Sequence, residues 1–293
     1  MKGIGLKTAI IGGSGKMGKW FARFLSQDGK EVIIAGRNQS RLLAVQRELG
    51  VQVASIEEAV KTADVVLLSV TIDSFEEVVR RISSFVRPDQ LVVDITSVKQ
   101  MPVDIMHKYL KGTVLGTHPV FGPGARDLVS QNFVLTPTNE AENELAQKAK
   151  EYLEAKGARV SIMTPREHDE MMAVVLGLAH FISIVSADTL AGVGKLPQLK
   201  AIGGSTYRVL VTLVESVISE DPELYATLQM NLPHVPELEA LFQKNAAEWA
   251  SMVKGKKRQE FVRRMAEVRN RFEKGDPAFG RAYENMYKIM EWL

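Results

Sequence analysis

One histidine in this sequence is flanked by residues that restrict its backbone. His118 lies in the stretch Thr117–Pro123, Thr-His-Pro-Val-Phe-Gly-Pro, where prolines and a glycine surround it. We expect this stretch to form a fixed loop. The side chain of a histidine titrates near neutral pH, so one that is held in place can accept a proton from a reacting group. His118 is therefore a candidate general base.

A glycine-rich segment near the start of the chain predicts a dinucleotide site. Gly13, Gly15 and Gly18 have the spacing G-x-G-x-x-G and follow an apolar run. Such glycines allow a tight turn, let the backbone approach a pyrophosphate, and let the following helix pack on the strand. The first N–H groups of that helix bind the phosphates. A hydride acceptor here and a base at His118 together predict an oxidoreductase. The residues predicted to bind the phosphates are Gly13, Ser14, Gly15, Lys16, Met17 and Gly18.

The end of the second predicted strand indicates which dinucleotide binds. An NAD enzyme usually has Asp or Glu there, to bind the 2′-hydroxyl of the ribose. In this chain Gly36 is followed by Arg37 and Asn38, with Arg41 one helical turn further on. An arginine binds a 2′-phosphate with charge-assisted hydrogen bonds, whereas a carboxylate would repel it. We therefore expect NADP rather than NAD, unless these arginines are merely solvated.

The elements that position these residues follow two patterns. Up to Thr164, short apolar runs alternate with segments of helical period, which is typical of a parallel sheet covered by helices. After Thr164 we find no convincing strand, and the pattern predicts several helices, among them Glu167–Leu190, Leu196–Ser219 and Ala278–Leu293. The sequence thus predicts an α/β fold, with a Rossmann-like dinucleotide-binding domain at 1–164 and an all-helical domain at 165–293. The predicted strands are Thr8–Gly12, Val32–Gly36, Gln52–Ala54, Val65–Val70, Leu91–Thr96, Val114–Thr117, Phe133–Thr136 and Arg159–Met163.

Composition excludes several classes of function. The chain has 293 residues, of which 45% are hydrophobic and 25% charged, as in a soluble protein of two domains. A formal net charge of +2 gives no reason to expect nucleic acid or an anionic membrane as a partner. Cysteine is absent, which excludes disulfides, thiolate zinc sites and cysteine nucleophiles, and no metal site is suggested. The first residues are too short and polar a stretch for a signal peptide, so we expect a cytoplasmic protein.

One almost uncharged segment, Met171–Ala187, is close in length to a membrane-spanning helix. It contains His180 and two serines and has no companion span, so we expect a buried central helix instead. Together with the other long helices it is more apolar than one small domain can bury. We therefore expect a homodimer that shares its helical domains.

Further segments connect the chain with a known family. Thr96–Lys99, Thr-Ser-Val-Lys, follows a predicted strand, at the edge where ligands of open α/β sheets bind. With this segment, the glycine turn, the His118 stretch, Gly177–Phe181 and Asp221–Ala226, the sequence resembles the prephenate dehydrogenase family of tyrosine biosynthesis, and its archaeal branch in particular. The resemblance covers nearly the whole chain, and His-Pro-x-Phe-Gly-Pro is its most specific element.

The resemblance implies an oxidative decarboxylation of prephenate to 4-hydroxyphenylpyruvate, with hydride transfer to NADP and no metal. It implies that His118 accepts the hydroxyl proton, that Ser97 orients the substrate hydroxyl or the nicotinamide amide, and that His180 contacts the substrate. Each role has a plain alternative. Ser97 could bond within its own turn, His180 could be a satisfied core histidine, and Lys99, a further candidate for substrate binding, could be only a solvated residue at a helix start.

The sequence departs from the family at one position. Family members usually have an arginine six residues before the proline of the Asp221–Ala226 segment, where it binds the ring carboxylate, and Ser216 stands at that position in this chain. A charge-assisted hydrogen bond contributes about 1.5–3 kcal/mol, so its loss would weaken substrate binding. Arg126 or Arg208 could replace the missing arginine. Alternatively, the substrate is arogenate or another aminated relative of prephenate.

Two other interpretations remain open. The start of the chain also resembles NADP oxidoreductases that pass hydride to deazaflavin cofactors, although those lack the His-Pro-x-Phe-Gly-Pro element and the long helical domain. A non-catalytic NADP-binding sensor would suit the absent arginine, but not the retained Ser97, His118 and His180. The length leaves room for neither a fused mutase domain nor a regulatory domain, so we expect neither.

Overall fold

The computed structural model describes residues 6–291 and divides the chain into two compact units. The first extends to Met172 and the second begins at Ala173. The division predicted from the sequence, between residues 164 and 165, falls just before the helix Pro165–Met172, which packs with the first unit.

The first unit is built on one eight-stranded sheet. In the sheet the third strand lies at one edge, the second and first follow, and the fourth to eighth continue in chain order. Neighbouring strands are parallel except the sixth and seventh, because the loop that joins these two contains no helix and turns the chain back. The strands are β1 (Lys7–Ile11), β2 (Glu31–Ala35), β3 (Gln52–Val53), β4 (Val65–Leu68), β5 (Leu91–Asp94), β6 (Thr113–Pro119), β7 (Asn132–Thr136) and β8 (Arg159–Ile162).

Helices cover both faces of this sheet. Along β1, Ala9 and Ile11 belong to one buried apolar cluster and Ile10 to another, as expected when successive side chains point to opposite faces. This confirms the predicted α/β class. The helices of the first unit are α1 (Lys16–Gln27), α2 (Gln39–Leu49), α3 (Ile56–Thr62), α4 (Ile72–Ile82), α5 (Gln100–Tyr109), α6 (Glu140–Ala155) and α7 (Pro165–Met172).

Strand β6 is longer than predicted, and this changes the setting of His118. The predicted strand ended at Thr117, but β6 continues to Pro119 and places His118 opposite Val134 of β7. The prediction that His118 lies in a loop is therefore wrong. The antiparallel partner strand extends the ladder, and proline is tolerated at the end of a strand where its missing N–H is not needed. His118 thus stands on rigid backbone.

The second unit is helical, as predicted, with two interruptions that the sequence pattern did not predict. The predicted helix Leu196–Ser219 is broken at Gly203, and the predicted helix Glu167–Leu190 contains a π-helical segment, Ala173–Leu178. Residues 292 and 293 of the last predicted helix, Ala278–Leu293, lie outside the described residues. The helices are α8 (Ala179–Val193), α9 (Leu196–Ile202), α10 (Ser205–Ile218), α11 (Pro222–Asn231), α12 (Val235–Lys254), α13 (Arg258–Gly275) and α14 (Ala282–Met290), with a 3₁₀ turn at Phe279–Arg281.

The apolar helical stretch Pro165–Val193 is less buried than expected. Its mean hydropathy reaches 1.8, yet only 22% of its most apolar window is buried within one copy of the chain. Met171, Val174 and Val185 are among its exposed side chains. The prediction of a buried central helix is therefore wrong for a single copy. By length and composition this stretch could cross a membrane, but one such helix among residues 6–291 is weak support for that, since a helix covered by another subunit has the same composition.

Candidate active site

Glycines at the end of β1 make a turn that no other residue fits. Gly12 has a φ of +88°, and a Cβ there would lie 2.0 Å from the carbonyl oxygen of Ser69. A Cβ on Gly13 would lie 2.6 Å from the Cβ of Ile34, and one on Gly18 would lie 2.4 Å from the carbonyl oxygen of Gly12. Gly12 was not among the predicted residues, although the Gly-Gly doublet could have indicated it.

The helix that follows this turn offers its first N–H groups to a ligand. Gly15 is the N-cap residue of α1, no side chain caps the helix, and its first turn contains no acidic residue. Gly15 and Lys16 are exposed, while Ser14 and Met17 are partly buried. An uncapped helix start beside a glycine turn suits a pyrophosphate, because N–H groups and the helix dipole both favour an anion. The predicted phosphate-binding residues therefore fit a dinucleotide.

The end of β2 lies beside the same turn. A Cβ on Gly36 would lie 3.9 Å from the Cα of Gly12, so the residues after Gly36 begin at the glycine turn. Arg37 and Arg41 are exposed. Within residues 6–291 neither guanidinium has a hydrogen-bond or ion-pair partner, which leaves both of them for a ligand. Asn38 has a structural task, because its Oδ1 accepts the backbone N–H of Arg41 at 3.0 Å and so caps α2.

The turn after β5 presents Ser97. Buried Asp94 organises this turn, since its Oδ2 accepts the backbone N–H of Thr96 at 2.9 Å and lies 2.5 Å from the Thr96 hydroxyl. Ser97 itself is partly exposed, and its hydroxyl has no hydrogen-bond partner among the described residues. The alternative in which Ser97 bonds within its own turn is thus not seen, because Thr96 takes that part.

Lys99 differs most from its prediction. Its side chain is fully buried, forms an ion pair with Asp94, and donates to the carbonyl oxygen of Thr117 at 2.6 Å. Burial lowers the pKa of Lys99, and the Asp94 carboxylate opposes that effect. Both predicted roles, substrate binding and a solvated helix start, require an accessible ammonium group. The structure instead uses Lys99 to join the ends of β5 and β6 internally.

His118 is joined to two residues of α7. Its Nδ1 lies 2.8 Å from Nε2 of His168, and Nδ1 of His168 lies 2.8 Å from Oδ1 of Asp169. The two imidazole rings meet edge to face, with their centroids 5.0 Å apart. All three side chains are buried, His118 with 4% and His168 with 0% of its surface exposed. His118 is therefore held by its partners as well as by its strand.

Asp169 also holds the start of α5. Its Oδ1 accepts the backbone N–H of Lys99 at 2.7 Å, and its Oδ2 accepts that of Gln100 at 3.0 Å. A carboxylate in this position satisfies the first N–H groups of the helix and complements its dipole. The carboxylate thus connects the turn that carries Ser97 with the histidine pair.

Burial keeps both histidines neutral. It lowers the pKa of His118 well below the ordinary value of 6.5, and the neighbouring His168 and Lys99, which would repel a second positive charge when protonated, act in the same direction. It lowers the pKa of His168 as well, against the hydrogen bond from that ring to Asp169. At neutral pH His118 is therefore an unprotonated base.

Sequence reasoning missed His168 and Asp169. They follow Pro165 at the start of a predicted helix, where adjacent polar residues are unremarkable. The only signal is that a histidine and an aspartate on this helix would be buried beside the end of β6. That signal requires knowledge of the topology, because β6 and α7 are joined only through β7, α6 and β8.

Arg126 lies in a loop that is anchored to α1. The indole Nε1 of Trp20 donates to the carbonyl oxygen of Ala125 at 2.6 Å, and the ring of Phe121 packs on Trp20 with centroids 5.0 Å apart. The Arg126 side chain is exposed and has no partner among residues 6–291. The backbone at Arg126 is therefore fixed and its guanidinium is accessible.

In the helical unit, His180 has an unsatisfied nitrogen. Its ring packs edge to face on Tyr225 at 4.9 Å, and burial lowers its pKa. The Nδ1 atom is enclosed without a hydrogen-bond partner. Nearby, Gln229 donates from Nε2 to the carbonyl oxygen of Gly177 at 3.0 Å, and its Oε1 is also enclosed without a partner. The alternative of a satisfied core histidine is therefore not what this structure contains.

The position of the missing family arginine is on the surface of the helical unit. Ser216 is exposed, and its hydroxyl donates to the carbonyl oxygen of Leu213 at 2.8 Å. Glu215 beside it pairs with Lys200 at 2.6 Å, which neutralises the acidic neighbour. Arg208, on the same helix, is exposed and has no side-chain partner in the part of the chain that the structure describes.

Apart from Arg126 in its loop, the predicted residues lie in three places. Ser97, His118 and the buried Lys99 lie at the carboxyl ends of β5 and β6. The glycine turn, Arg37, Asn38 and Arg41 meet at the carboxyl ends of β1 and β2, the edge where open α/β sheets bind ligands. His180 and Arg208 belong to the helical unit. Residues 6–291 contain no group of three or more His, Asp or Glu side chains that could hold a metal ion.

Comparison with known protein families tests the resemblance found in the sequence. The nucleotide-binding domain of prephenate dehydrogenase matches residues 21–162, and the dimerization domain of prephenate dehydrogenase matches residues 164–267. The chain belongs to the prephenate dehydrogenase family. This confirms the predicted family, and it sets the deazaflavin-linked reductases aside.

Relatives of the chain match it over only part of their own length. The chain is 35% identical over 277 residues to a probable arogenate/prephenate dehydrogenase of Methanocaldococcus jannaschii, which covers 93% of this chain and 62% of that protein. Next in similarity are T-proteins, one of them from Haemophilus influenzae, at 29% identity over 56% of its length. The chain therefore spans less than two thirds of the length of these relatives.

Solved structures of the prephenate dehydrogenase family share the fold. Prephenate dehydrogenase of Aquifex aeolicus, in complex with hydroxyphenyl propionate and NAD+, superposes with a TM-score of 0.76 at 21% identity over 94% of this chain and 100% of that one. Arogenate dehydrogenase of Synechocystis gives a TM-score of 0.71 at 20% identity, over 92% of this chain and 100% of that one. Both share the fold of this chain.

Proposed function

We propose that this protein oxidatively decarboxylates prephenate to 4-hydroxyphenylpyruvate with hydride transfer to NADP, a step of tyrosine biosynthesis. The observation that carries the proposal is the state of His118. Oxidation of an alcohol requires a base that is unprotonated at neutral pH and fixed near the hydride acceptor. His118 is neutral, rigidly mounted at the end of β6, and bonded through Nδ1 only. Its Nε2 has no partner among residues 6–291.

The cofactor site of this proposal is the glycine turn with the start of α1. Residues from Gly12 to Gly18 would hold the pyrophosphate, because the glycines leave room for it and the helix start is uncapped. Arg37 and Arg41 would bind the 2′-phosphate of NADP, since their guanidinium groups are accessible and no carboxylate follows Gly36. A bound nicotinamide ring would supply the acceptor for the hydride.

The protein's own residues then manage one proton. His118 accepts the hydroxyl proton of the substrate at Nε2 as the hydrogen on the same carbon leaves as hydride. The ring carboxylate departs as carbon dioxide, its bonding electrons complete the aromatic ring, and the phenolic oxygen takes the proton back. Ser97, whose hydroxyl is unengaged within residues 6–291, orients the substrate hydroxyl or the nicotinamide amide. Lys99 and Asp94 hold the strand ends from which His118 and Ser97 project.

A second candidate substrate is arogenate, in which an amino group replaces the keto group of the side chain. Ser216 favours it, because the family arginine for a carboxylate is absent and the serine hydroxyl already bonds within its own helix. The relative from Methanocaldococcus jannaschii carries both substrates in its name. If the substrate is prephenate, we propose Arg126 or Arg208 as the replacement cation and His180 as a further substrate ligand.

The assembly we propose is a cytoplasmic homodimer formed through the helical domains. The family's dimerization domain matches residues 164–267, and the helical stretch Pro165–Val193 leaves apolar side chains exposed in a single copy. A second copy would cover such side chains, which is the usual fate of a large apolar surface on a soluble protein.

The test is a four-way assay of the purified protein. Reduced nicotinamide is monitored with prephenate or arogenate as substrate, each with NADP or NAD. We expect turnover of prephenate with NADP. Turnover of arogenate alone would establish the second candidate. Binding of NADP, measured by calorimetry, without turnover of either substrate would contradict the proposal and leave the sensor interpretation.

A further inference from the structure

His118 is the first member of a buried chain of three side chains that ends on a carboxylate. The chain runs from His118 through His168 to Asp169, with 2.8 Å between the heavy atoms at each contact. None of the three side chains is more than slightly exposed. The proposed reaction uses only His118, and the sequence analysis gave no role to the other two.

The direction of the hydrogen bonds follows from the acceptor at the end of the chain. An ionised Asp169 can only accept, so Nδ1 of His168 must carry a proton and donate it. Because burial keeps His168 neutral, its other nitrogen, Nε2, must then be an acceptor. It can accept only from Nδ1 of His118, which therefore carries the proton of that ring. Nε2 of His118 is left with a lone pair.

We propose that His168 and Asp169 are positioning residues that hold His118 in the tautomer with Nδ1 protonated and Nε2 free to accept the substrate proton. This rests on the proposed function of His118 as the base. In the opposite tautomer Nε2 would carry a proton and could not accept one. An aspartate that fixes a histidine tautomer in this way is worth a large factor in rate elsewhere, about 10⁴ in serine proteases.

A second set of contacts connects these three side chains with the turn that carries Ser97. The carboxylate of Asp169 also accepts the backbone N–H groups of Lys99 and Gln100, which follow Ser97. One carboxylate therefore sets the orientation of the base and the position of the serine turn together. Substituting Asp169 would disturb both, so His168 is the better residue for a test.

The test uses two substitutions of His168 and one control. His168→Gln keeps an acceptor for His118 and a donor for Asp169, whereas His168→Leu keeps neither. The control is His107→Gln, because His107 also bonds a buried carboxylate, Oε1 of Glu142 at 2.5 Å, but lies near the far end of α5. We expect His168→Leu to lower kcat about 100-fold or more with little change in KM, because the lost interaction acts on proton transfer. We expect the kcat of His168→Gln to stay within about tenfold of the wild-type value, and the kcat of the control to equal the wild-type value.

A measurement without substrate makes the inference independent of the proposed reaction. The protein has five histidines, so ¹⁵N labelling of histidine gives a simple spectrum. Comparison with the His118→Asn variant identifies the His118 signals. We expect Nδ1 of His118 to be of the protonated type and Nε2 of the unprotonated type, and His168→Leu to lose this preference.

Two results would overturn the inference. One is a wild-type His118 with its proton on Nε2. The other is a His168→Leu variant that keeps its structure and the kcat of the wild type. If instead no substrate is turned over but the spectrum shows the expected tautomer, the arrangement stands and the proposed reaction fails.

Discussion

The two units of this protein treat their buried polar groups differently. In the described part of the first unit no enclosed side-chain nitrogen or oxygen lacks a partner, and the unbonded Nε2 of His118 is not among the enclosed atoms. The network around His118 includes an ion pair, a histidine pair and a carboxylate that caps a helix. In the helical unit Nδ1 of His180, the Tyr207 hydroxyl and Oε1 of Gln229 are enclosed without partners. These three are all such atoms among the described residues, and none lies in the first unit.

This difference indicates what each unit needs from outside. A buried polar group without a hydrogen bond is costly, so native proteins supply a partner, which can be water, a ligand or another chain. The first unit holds His118 with hydrogen bonds from its own residues, as a fixed catalytic group requires. The helical unit has apolar side chains that remain exposed and polar atoms that remain unpaired, as expected of an element whose partner is a second subunit or a substrate.

The largest expected effect is on His118 itself. His118→Asn removes the base while a polar side chain remains, and we expect kcat/KM to fall about 10²–10⁴-fold. Steady-state kinetics measures the loss, and an unchanged thermal unfolding midpoint shows that the fold persists. A variant with undiminished kcat would contradict this account, because the hydrogen-bond network around His118 would then serve no catalytic purpose.

The next effect is on stability and concerns Lys99. Lys99→Met leaves the Asp94 carboxylate buried without its counter-ion, and we expect the free energy of unfolding to drop by about 3–5 kcal/mol. The double variant Lys99→Met with Asp94→Asn should be more stable than the single one, since no unpaired charge remains. Urea unfolding measures both, with the exposed Lys111→Met as the matched control. Equal losses for Lys99→Met and the control would show that the pair is not the frame of the site.

A smaller effect is expected on cofactor choice. Arg37→Ala should raise the KM for NADP about tenfold to a hundredfold and leave the KM for NAD nearly unchanged, because a charge-assisted hydrogen bond to phosphate contributes about 1.5–3 kcal/mol. Arg47→Ala, later on α2 and bonded at 3.3 Å to the carbonyl oxygen of Leu43, is the control. Parallel changes for both dinucleotides would contradict the assignment of Arg37 to the 2′-phosphate.

The pH dependence of activity should show the lowered pKa of His118. A base is active when unprotonated, so kcat/KM falls as the pH drops through the pKa of His118, which lies well below 6.5. We therefore expect activity to stay level from neutral pH to below pH 6.5, where an exposed histidine would already be half protonated. An acid limb centred above pH 6.5, after correction for ionisation of the substrate, would mean that His118 is not buried as described.

The last prediction concerns the association of the helical unit, and we expect it to affect catalysis least. Val175→Asp places a charge on the exposed apolar side of Ala173–Leu178, and we expect a dimer to become a monomer in sedimentation experiments. Leu43→Asp, at an exposed leucine of α2 in the first unit, is the control and should stay dimeric. A wild-type protein that is monomeric at all concentrations would contradict the proposal that a second subunit covers the exposed apolar side chains of the helical unit.

Local sequence signals predicted the parts of this molecule that depend on local chemistry. The glycine turn, the strands and the arginines after β2 follow from spacing and period, since a turn of positive φ or a buried strand restricts which residues fit. Ser97 was found because it follows a strand, His118 because prolines and a glycine flank it, and the family resemblance named their roles.

The remaining features depend on contacts distant in sequence. His168 and Asp169 reach His118 only because β7 runs antiparallel to β6 and brings α7 back to its end. Lys99 was expected at the surface because its burial depends on Asp94 and Thr117, which only the folded sheet brings together. The exposure of Pro165–Val193 likewise depends on what packs against it, which periodicity does not reveal.

The most direct test of the central claim is to measure carbon dioxide and reduced nicotinamide together. Wild-type protein is incubated with NADP and with prephenate labelled at its ring carboxylate. Both products are followed in one reaction, and His118→Asn is assayed in parallel. We expect equimolar release of labelled carbon dioxide and reduced NADP from the wild type, and almost none of either from the variant. Reduction without decarboxylation, or equal turnover by His118→Asn, would contradict an oxidative decarboxylation that begins with proton transfer to His118.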